Sequence, residues 1–340
     1  MLWSQLQDQA VTVGWDFYLP VLMFVVLCAL AVPVWVSIGS AAILMLIMSE
    51  ALPLSLIGES LFDGIDAFAL TAVPLFILTG DVLVRTGLSR KFLDIADALT
   101  CWTKGGFGSA TVLVCGMFSS ISGSDAAGAA AVGRMTISRL VESGYPRPYA
   151  CALVAAGSCT GILIPPSISY IIIGLVLGIS ASILFLAAVI PGLTILLSIL
   201  ITNIVMNRLN SYESGGNITV VEWWQNLIKA LKSGWYAFIV PGIIFYGIFS
   251  GSLTPTEAGA TAVVVTIIIG FILGTLKLSD FPDMLLSSAK VNGVILPIIA
   301  FSLPLAQVLA ILGVPQGFVY SVTSLTESPA ILILMMVAIL

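Results

Sequence analysis

The stretch "GSCTGILIPPSISYIIIG", Gly157 to Gly174, is apolar enough to lie in a membrane, yet Pro165 and Pro166 interrupt it. Two adjacent prolines remove two backbone donors and disfavour helical geometry just before them. Carbonyls one turn earlier lose their i+4 partners, a cost that hydrocarbon cannot offset. A membrane helix that accepts such a break has a use for the freed carbonyls, or for the N–H groups of the helix that restarts beyond it.

Composition supports the membrane setting. Of 340 residues 59% are hydrophobic and 9% charged, with a mean hydropathy of +1.15, whereas a soluble chain is roughly 25% charged. Long apolar segments separated by short polar turns predict an all-α polytopic membrane protein, without the alternation of a barrel and without a soluble domain of useful size. The net charge of -5 says little about partners, since the sign of each loop matters more than the sum. No nucleic-acid partner is expected. Cys28, Cys101, Cys115, Cys151 and Cys159 are scattered without CxxC spacing and the chain has no histidine, which argues against zinc or haem. These cysteines are read as small buried apolar residues. No Lys or Arg precedes the apolar run at the N-terminus, so it reads as mature sequence rather than a secretory signal.

Loop charges set the topology. Basic residues gather at Arg85 to Lys104, Arg134 to Arg147, Arg208, Lys229 with Lys232, and Lys277 with Lys290, which places those connections in the cytoplasm. "FGSATVLVCGMFSSI", Phe107 to Ile121, returns through Ala126 to Val132 to the same basic side. That predicts a re-entrant hairpin over about 107–141, followed by a broken helix over 149–178 and a return span over Ile183 to Met206. "VVEWWQNLIKALKSGWYAF" predicts an amphipathic helix along the cytoplasmic surface, with Val221, Trp224, Leu227, Leu231 and Trp235 on one face.

Residues 236–340 repeat the order of elements in residues 1–210 with every direction reversed, the segment 211–235 linking the two. Phe17 to Leu52 then splits into two short spans around Pro33 and the N-terminus lies outside. Inverted repeats of this kind mark secondary transporters. Ala330 to Leu340 corresponds to the first arm of the hairpin, so the second repeat is expected to be incomplete at the C-terminus by roughly 80 to 90 residues.

The break now has a chemical reading. Freed carbonyls at mid-membrane suit a cation, and the N-terminus of the restarted helix suits an anion such as a carboxylate. The hairpin tip "SISGSD", Ser120 to Asp125, adds the Ser122 and Ser124 hydroxyls beside Gly123, hard ligands appropriate for sodium. Close helix packing also explains the small-residue run "GSDAAGAAAVG", and a simple kink also explains a proline. Asp81 has Arg85 one turn away and reads as an ion pair, and Glu257 reads as a helix cap. Asp125 has no such neighbour and is the better functional candidate.

"AVPLFILTGDVLVRTGLSRKFLD" (Ala72 to Asp94), "SISGSDAAGAAAVG" (Ser120 to Gly133), "ILIPPSISYIIIGLVLGISASILFLAAVIPG" (Ile162 to Gly192) and "GIFSGSLTPTEAGATA" (Gly247 to Ala262) together resemble the large membrane subunit of tripartite ATP-independent periplasmic (TRAP) transporters. The resemblance implies a sodium-driven, elevator-type permease of the ion-transporter superfamily in the bacterial inner membrane, with a periplasmic N-terminus. Its implied partners are a small four-helix membrane subunit and a periplasmic binding protein that delivers an organic acid, such as a C4-dicarboxylate. By position it assigns Ser122, Gly123, Ser124, Gly161, Pro165 and Pro166 to sodium and Ser124 and Ser167 to substrate, and Asp125, singled out by its own surroundings, joins the substrate set. Sodium would be the coupling ion, with no other cofactor. One departure bears on the site: where the family commonly has Asp, this chain has Gly128, with an Asp at 125 instead.

Rival readings separate on chemistry. No GxxxxGK[ST] is present for an ATP-driven pump, and no histidine for an intramembrane serine protease, so no enzyme is expected. A non-transporting scaffold, or an inactive fragment of such a permease, is the alternative. Saturable, sodium-coupled uptake distinguishes the transporter from that scaffold and from a channel.

Overall fold

The computed structural model describes residues 14–49, 53, 55–213, 218–323 and 328–339. The N-terminal stretch through residue 13, and parts of the connections at 50–66 and 313–327, lie outside the described residues. All regular secondary structure among the described residues is helical. The chain divides into two compact units, one formed by residues up to Asp66 and from Gly293 onward, the other by Ala67–Asn292.

The first unit opens with α1 (Trp15–Ala29), α2 (Val34–Ser49) and α3 (Ser55–Ile65). The turn between α1 and α2 carries Pro33 and a left-handed Ala31 (φ 59°), so Phe17 to Leu52 is split at the expected place. Neither half reaches the roughly 20 residues that a bilayer demands of a single straight span.

The second unit begins with α4 (Ala72–Arg85), α5 (Leu88–Thr100), α6 (Gly106–Ser122) and α7 (Asp125–Glu142). It continues through α8 (Arg147–Leu163), α9 (Ile168–Leu177) and α10 (Ala181–Asn210), then α11 (Val220–Gly234), α12 (Ile239–Phe249) and α13 (Pro255–Ile272). The start of α14 (Phe281–Ile311), to Asn292, completes it. Nearly every residue of α6 is buried, and its most extensive contact is with α8. Gly157 and Gly161 on α8 face Cys115 and Ser119 on α6, so backbones approach where larger side chains would hold them apart. α10 shows the inverse of a soluble helix: Phe185, Ala188, Gly192 and Leu196 are buried, while Ile183, Leu186, Ile190, Leu193 and Ile201 are exposed. Such an outward apolar face is stable only in lipid.

A polar network ties the base of α6 and α7 to the end of α10. The Glu213 carboxylate accepts from the Phe107 N–H at the start of α6 and from the Tyr145 hydroxyl, both at 3.1 Å. Asn203 donates to the Gly105 carbonyl and the Ser109 hydroxyl, and Tyr145, Tyr149 and Tyr212 stack beside them. Arg139 lies 4.0 Å over the Phe107 ring and pairs with Asp97. Burial, with the nearby Glu213 carboxylate adding to it, raises the Tyr145 phenol above its ordinary range. The folded state therefore holds that proton more tightly than the unfolded chain, and this contribution is lost as pH rises above about 10. Glu213→Ala orphans two donors and is expected to cost about 1–3 kcal/mol, while Glu213→Gln, which keeps one of the two acceptor oxygens, costs less. Thermal unfolding in detergent measures the difference.

α5 and α11 pack on each other, joined by Trp223 Nε1 donating to the Leu99 carbonyl. On α11 Leu227 is buried while Val221, Trp224 and Leu231 are exposed, so the apolar face meets α5 at one edge only. α5 itself was not anticipated as a separate helix. The Asp81–Arg85 pair closes at 3.2 Å, and Glu257 completes a capping box with Thr254 at the start of α13, as expected for both. The cysteines correct their reading: all five are free, but only Cys115 is buried, and Cys151 and Cys159 on α8 are exposed. A small apolar thiol gains as little by leaving lipid as a leucine does.

The end of α14, with α15 (Val314–Thr323) and α16 (Pro329–Ile339), belongs to the first unit. There Met45, Leu46 and Val308 form a core with Phe17, Leu61 and Leu305 against it. Ser60 donates to Gln307 Oε1 at 2.6 Å, and Trp35 stacks on Phe301 at 5.8 Å beneath Gly39.

Candidate functional site

Within the second unit, α6 and α7 meet at a tight tip. Gly123 is left-handed (φ 64°), and Ser124 caps α7, its hydroxyl accepting from the Ala127 N–H at 3.4 Å. The Ser122 hydroxyl donates weakly to the Ser124 and Ser119 carbonyls at 3.3 and 3.4 Å. The tip sits against the break between α8 and α9: a Cβ at Gly123 would come within 2.8 Å of the Ile168 side chain and 3.3 Å of its backbone nitrogen. Asp125 lies against the Ile162 backbone. Gly161 abuts Ser119 so closely that a Cβ there would overlap the Ser119 Cβ.

The break runs from Ile164 through Ser167. Pro165 and Pro166 stand four residues after Gly161 and Ile162, whose carbonyls therefore have no i+4 donor. Ser167 is the N-cap of α9, but its hydroxyl makes no capping bond, is fully buried, and has no protein partner among the described residues. Ser119 Oγ and Asp125 Oδ1 are likewise buried without a partner. Buried oxygens are normally paired, so unused acceptors gathered where two helix ends meet point to a ligand rather than to packing alone. Hydroxyl, carboxylate and carbonyl oxygens are the donor set that fits a hard cation such as sodium.

Of the residues expected in the site, the structure brings Ser122, Gly123, Ser124 and Asp125 of the tip together with Gly161, Pro165, Pro166 and Ser167 of the break. Ser119 was missed. It lies one turn before the quoted tip and is flanked by Gly128 and Gly161, and that pair of glycines is the signal that could have found it. A side chain at Gly128 would overlap Ser119 Oγ, so the Ser119 hydroxyl fills the space beside Gly128. Gly128→Asp is accordingly expected to lower the melting temperature, as thermal unfolding would show.

Residues 21–340 match the family described as "Tripartite ATP-independent periplasmic transporter, DctM component". The chain is 33% identical to the C4-dicarboxylate TRAP transporter large permease protein DctM of Pseudomonas aeruginosa, over 86% of this chain and 68% of that protein. It is 30% identical to the isethionate TRAP transporter permease protein DctMQ of Oleidesulfovibrio alaskensis, over 93% of this chain and 50% of that one. It is also 30% identical to the 2,3-diketo-L-gulonate TRAP transporter large permease protein YiaN of Escherichia coli, over 95% and 72%. A polytopic all-helical chain built around a hairpin tip and a proline-broken helix, and matched by this family over nearly its whole length, belongs to the DctM component family of TRAP transporters, which are permeases and not enzymes.

Proposed function

We propose that this chain acts as the large permease of a sodium-coupled secondary transporter that imports an organic acid across the bacterial inner membrane. The observation that carries the reading is the buried Ser167 hydroxyl, without a partner among the described residues, at the start of α9, whose next residue Ile168 packs against Gly123 of the tip that carries Ser122, Ser124 and Asp125. Sodium is held by the tip hydroxyls and by the Gly161 and Ile162 carbonyls that Pro165 and Pro166 leave free. The acid's carboxylate meets Ser124, Ser167 and the N-terminal N–H groups of α9.

The relatives are named for three different organic acids, which supports assigning selectivity largely to a periplasmic binding protein. That protein and a small four-helix membrane subunit are the proposed partners, and the N-terminus is proposed to be periplasmic. The motion is alternating access by an elevator. Hairpin and broken helix move as one block, and the Glu213 and Asn203 network supports including α10 in it. Residues 1–210 and 236–340 serve as inverted repeats. Left-handed turns at Gly87 and Gly313, each between a membrane helix and a short following helix, support that correspondence.

The test is reconstitution of the complete permease with its small subunit and binding protein, followed by uptake of a panel of labelled organic acids. Saturable uptake in a sodium gradient, abolished when potassium replaces sodium, is the expected result. Uptake indifferent to sodium would overturn the coupling, and no uptake of any acid would favour a scaffold.

A further inference from the structure

A cavity of about 260 Å³ lies where the hairpin tip faces α4 and the start of α14, away from α9. Ser122 and Ser124 line it, so it is continuous with the tip, and Asp81, Arg134 and Ser288 supply its other chemistry. Asp81 is already neutralised by Arg85 at 3.2 Å. Arg134 has no acidic partner among the described residues; its Nε donates to the Ala130 carbonyl at 3.0 Å, which leaves the two terminal nitrogens available. Asp81 and Arg134 are the charged residues that line the cavity, and with Asp81 committed to Arg85 the guanidinium of Arg134 is the charge left to meet an anion. Ser288, 6% exposed, has a hydroxyl with no partner among the described residues, and Asn292 one turn on has an Oδ1 likewise without one, while its Nδ2 donates to the Ser288 carbonyl at 2.8 Å. A serine in a membrane helix ordinarily returns its hydroxyl to the carbonyl one turn back. Thr194, Ser198 and Thr202 on α10 do so at 2.8 Å, and Ser288 does not.

We propose that this cavity is a second anion subsite, in which the Arg134 guanidinium and the Ser288 hydroxyl hold a carboxylate of a small organic acid between the hairpin tip and the cytoplasmic side. The inference deepens the transport reading and rests on it for the identity of the anion. A guanidinium with two free nitrogens accepts a carboxylate side-on, and the serine hydroxyl supplies one further donor. The volume lies near the lower edge of small-molecule sites, about 300 Å³, which fits an acid of few carbons. Ser124 lines the same cavity, so an acid leaving it enters this subsite directly.

The test uses the full-length permease with its native cysteines replaced and Ser288→Cys introduced. Labelling rates of the thiol by an anionic sulfonatoethyl and by a cationic trimethylammonioethyl methanethiosulfonate are compared. The anionic reagent is expected to react roughly tenfold faster, Arg134→Gln to erase that preference, and millimolar succinate to slow the reaction. Equal rates in the protein that retains Arg134, a preference that survives Arg134→Gln, or a thiol that neither reagent reaches would each overturn the proposal. If Ser288→Cys does not fold, Ser287→Cys on the same wall reads the same potential. The rates require no sodium, so failure of sodium coupling and failure of this subsite are read separately.

Discussion

Gly161→Val is expected to abolish transport and to destabilise the protein by about 3 kcal/mol, the upper range for an overpacked core. A Cβ at this position would overlap the Ser119 Cβ and come within 2.7 and 2.8 Å of the Ser119 backbone carbon and Cα. Backbone cannot rotate away as the end of a flexible side chain can, so α6 must lift off α8 and carry the tip away from the break. Gly133→Ala is the matched control. Its nearest neighbours are the flexible ends of Ile137 and Val154, at 3.2 and 3.4 Å, and removing a helical glycine gains up to about 1 kcal/mol. Melting temperatures in detergent, with uptake in proteoliposomes, separate the two. A Gly161→Val protein as stable and active as Gly133→Ala would mean that α6 and α8 do not need this close approach.

Replacing both prolines, Pro165→Ala with Pro166→Ala, is expected to remove the sodium response entirely while leaving a folded protein. The substitution returns N–H donors to the Gly161 and Ile162 carbonyls and lets α8 run into α9. An interior proline costs a helix about 3 kcal/mol, so local helicity is favoured by the change. What is lost is the site: the carbonyls become occupied and α9 no longer has a separate N-terminus. The signature is a stability in potassium that is retained or raised, together with uptake that no longer responds to sodium. Unfolding of the variant in both salts would instead make the break a structural requirement, and retained sodium response would remove the freed carbonyls from the account.

The elements that could be read from the chain alone are those whose cause is local. Pro165 and Pro166 lack N–H groups wherever they are placed, so the break was legible, and so were the Asp81–Arg85 pair and the Glu257 cap, which span one turn or less. The hairpin was legible because both its ends are basic. α5 was not: thirteen residues carrying Arg90, Lys91, Asp94 and Asp97 look like a charged connection until α11 is seen covering its apolar side. Ser119 and Ser288 were hidden for another reason. Serine is common in membrane helices, and only the tertiary arrangement shows that these two hydroxyls lack the usual partner one turn back. The cysteines were misread because burial and lipid exposure look alike to a small apolar side chain.

The central claim is that the tip at Ser122–Asp125 and the break at Pro165–Ser167 bind sodium together. The most direct measurement is the melting temperature of the purified protein in sodium against the same ionic strength of potassium, for the native sequence and for Ser122→Ala with Ser124→Ala. Binding at ten times the dissociation constant stabilises by about 1.4 kcal/mol. A shift of that order in the native protein, absent from the double variant while its melting temperature in potassium is unchanged, is the predicted result. An equal sodium shift in both proteins would contradict it.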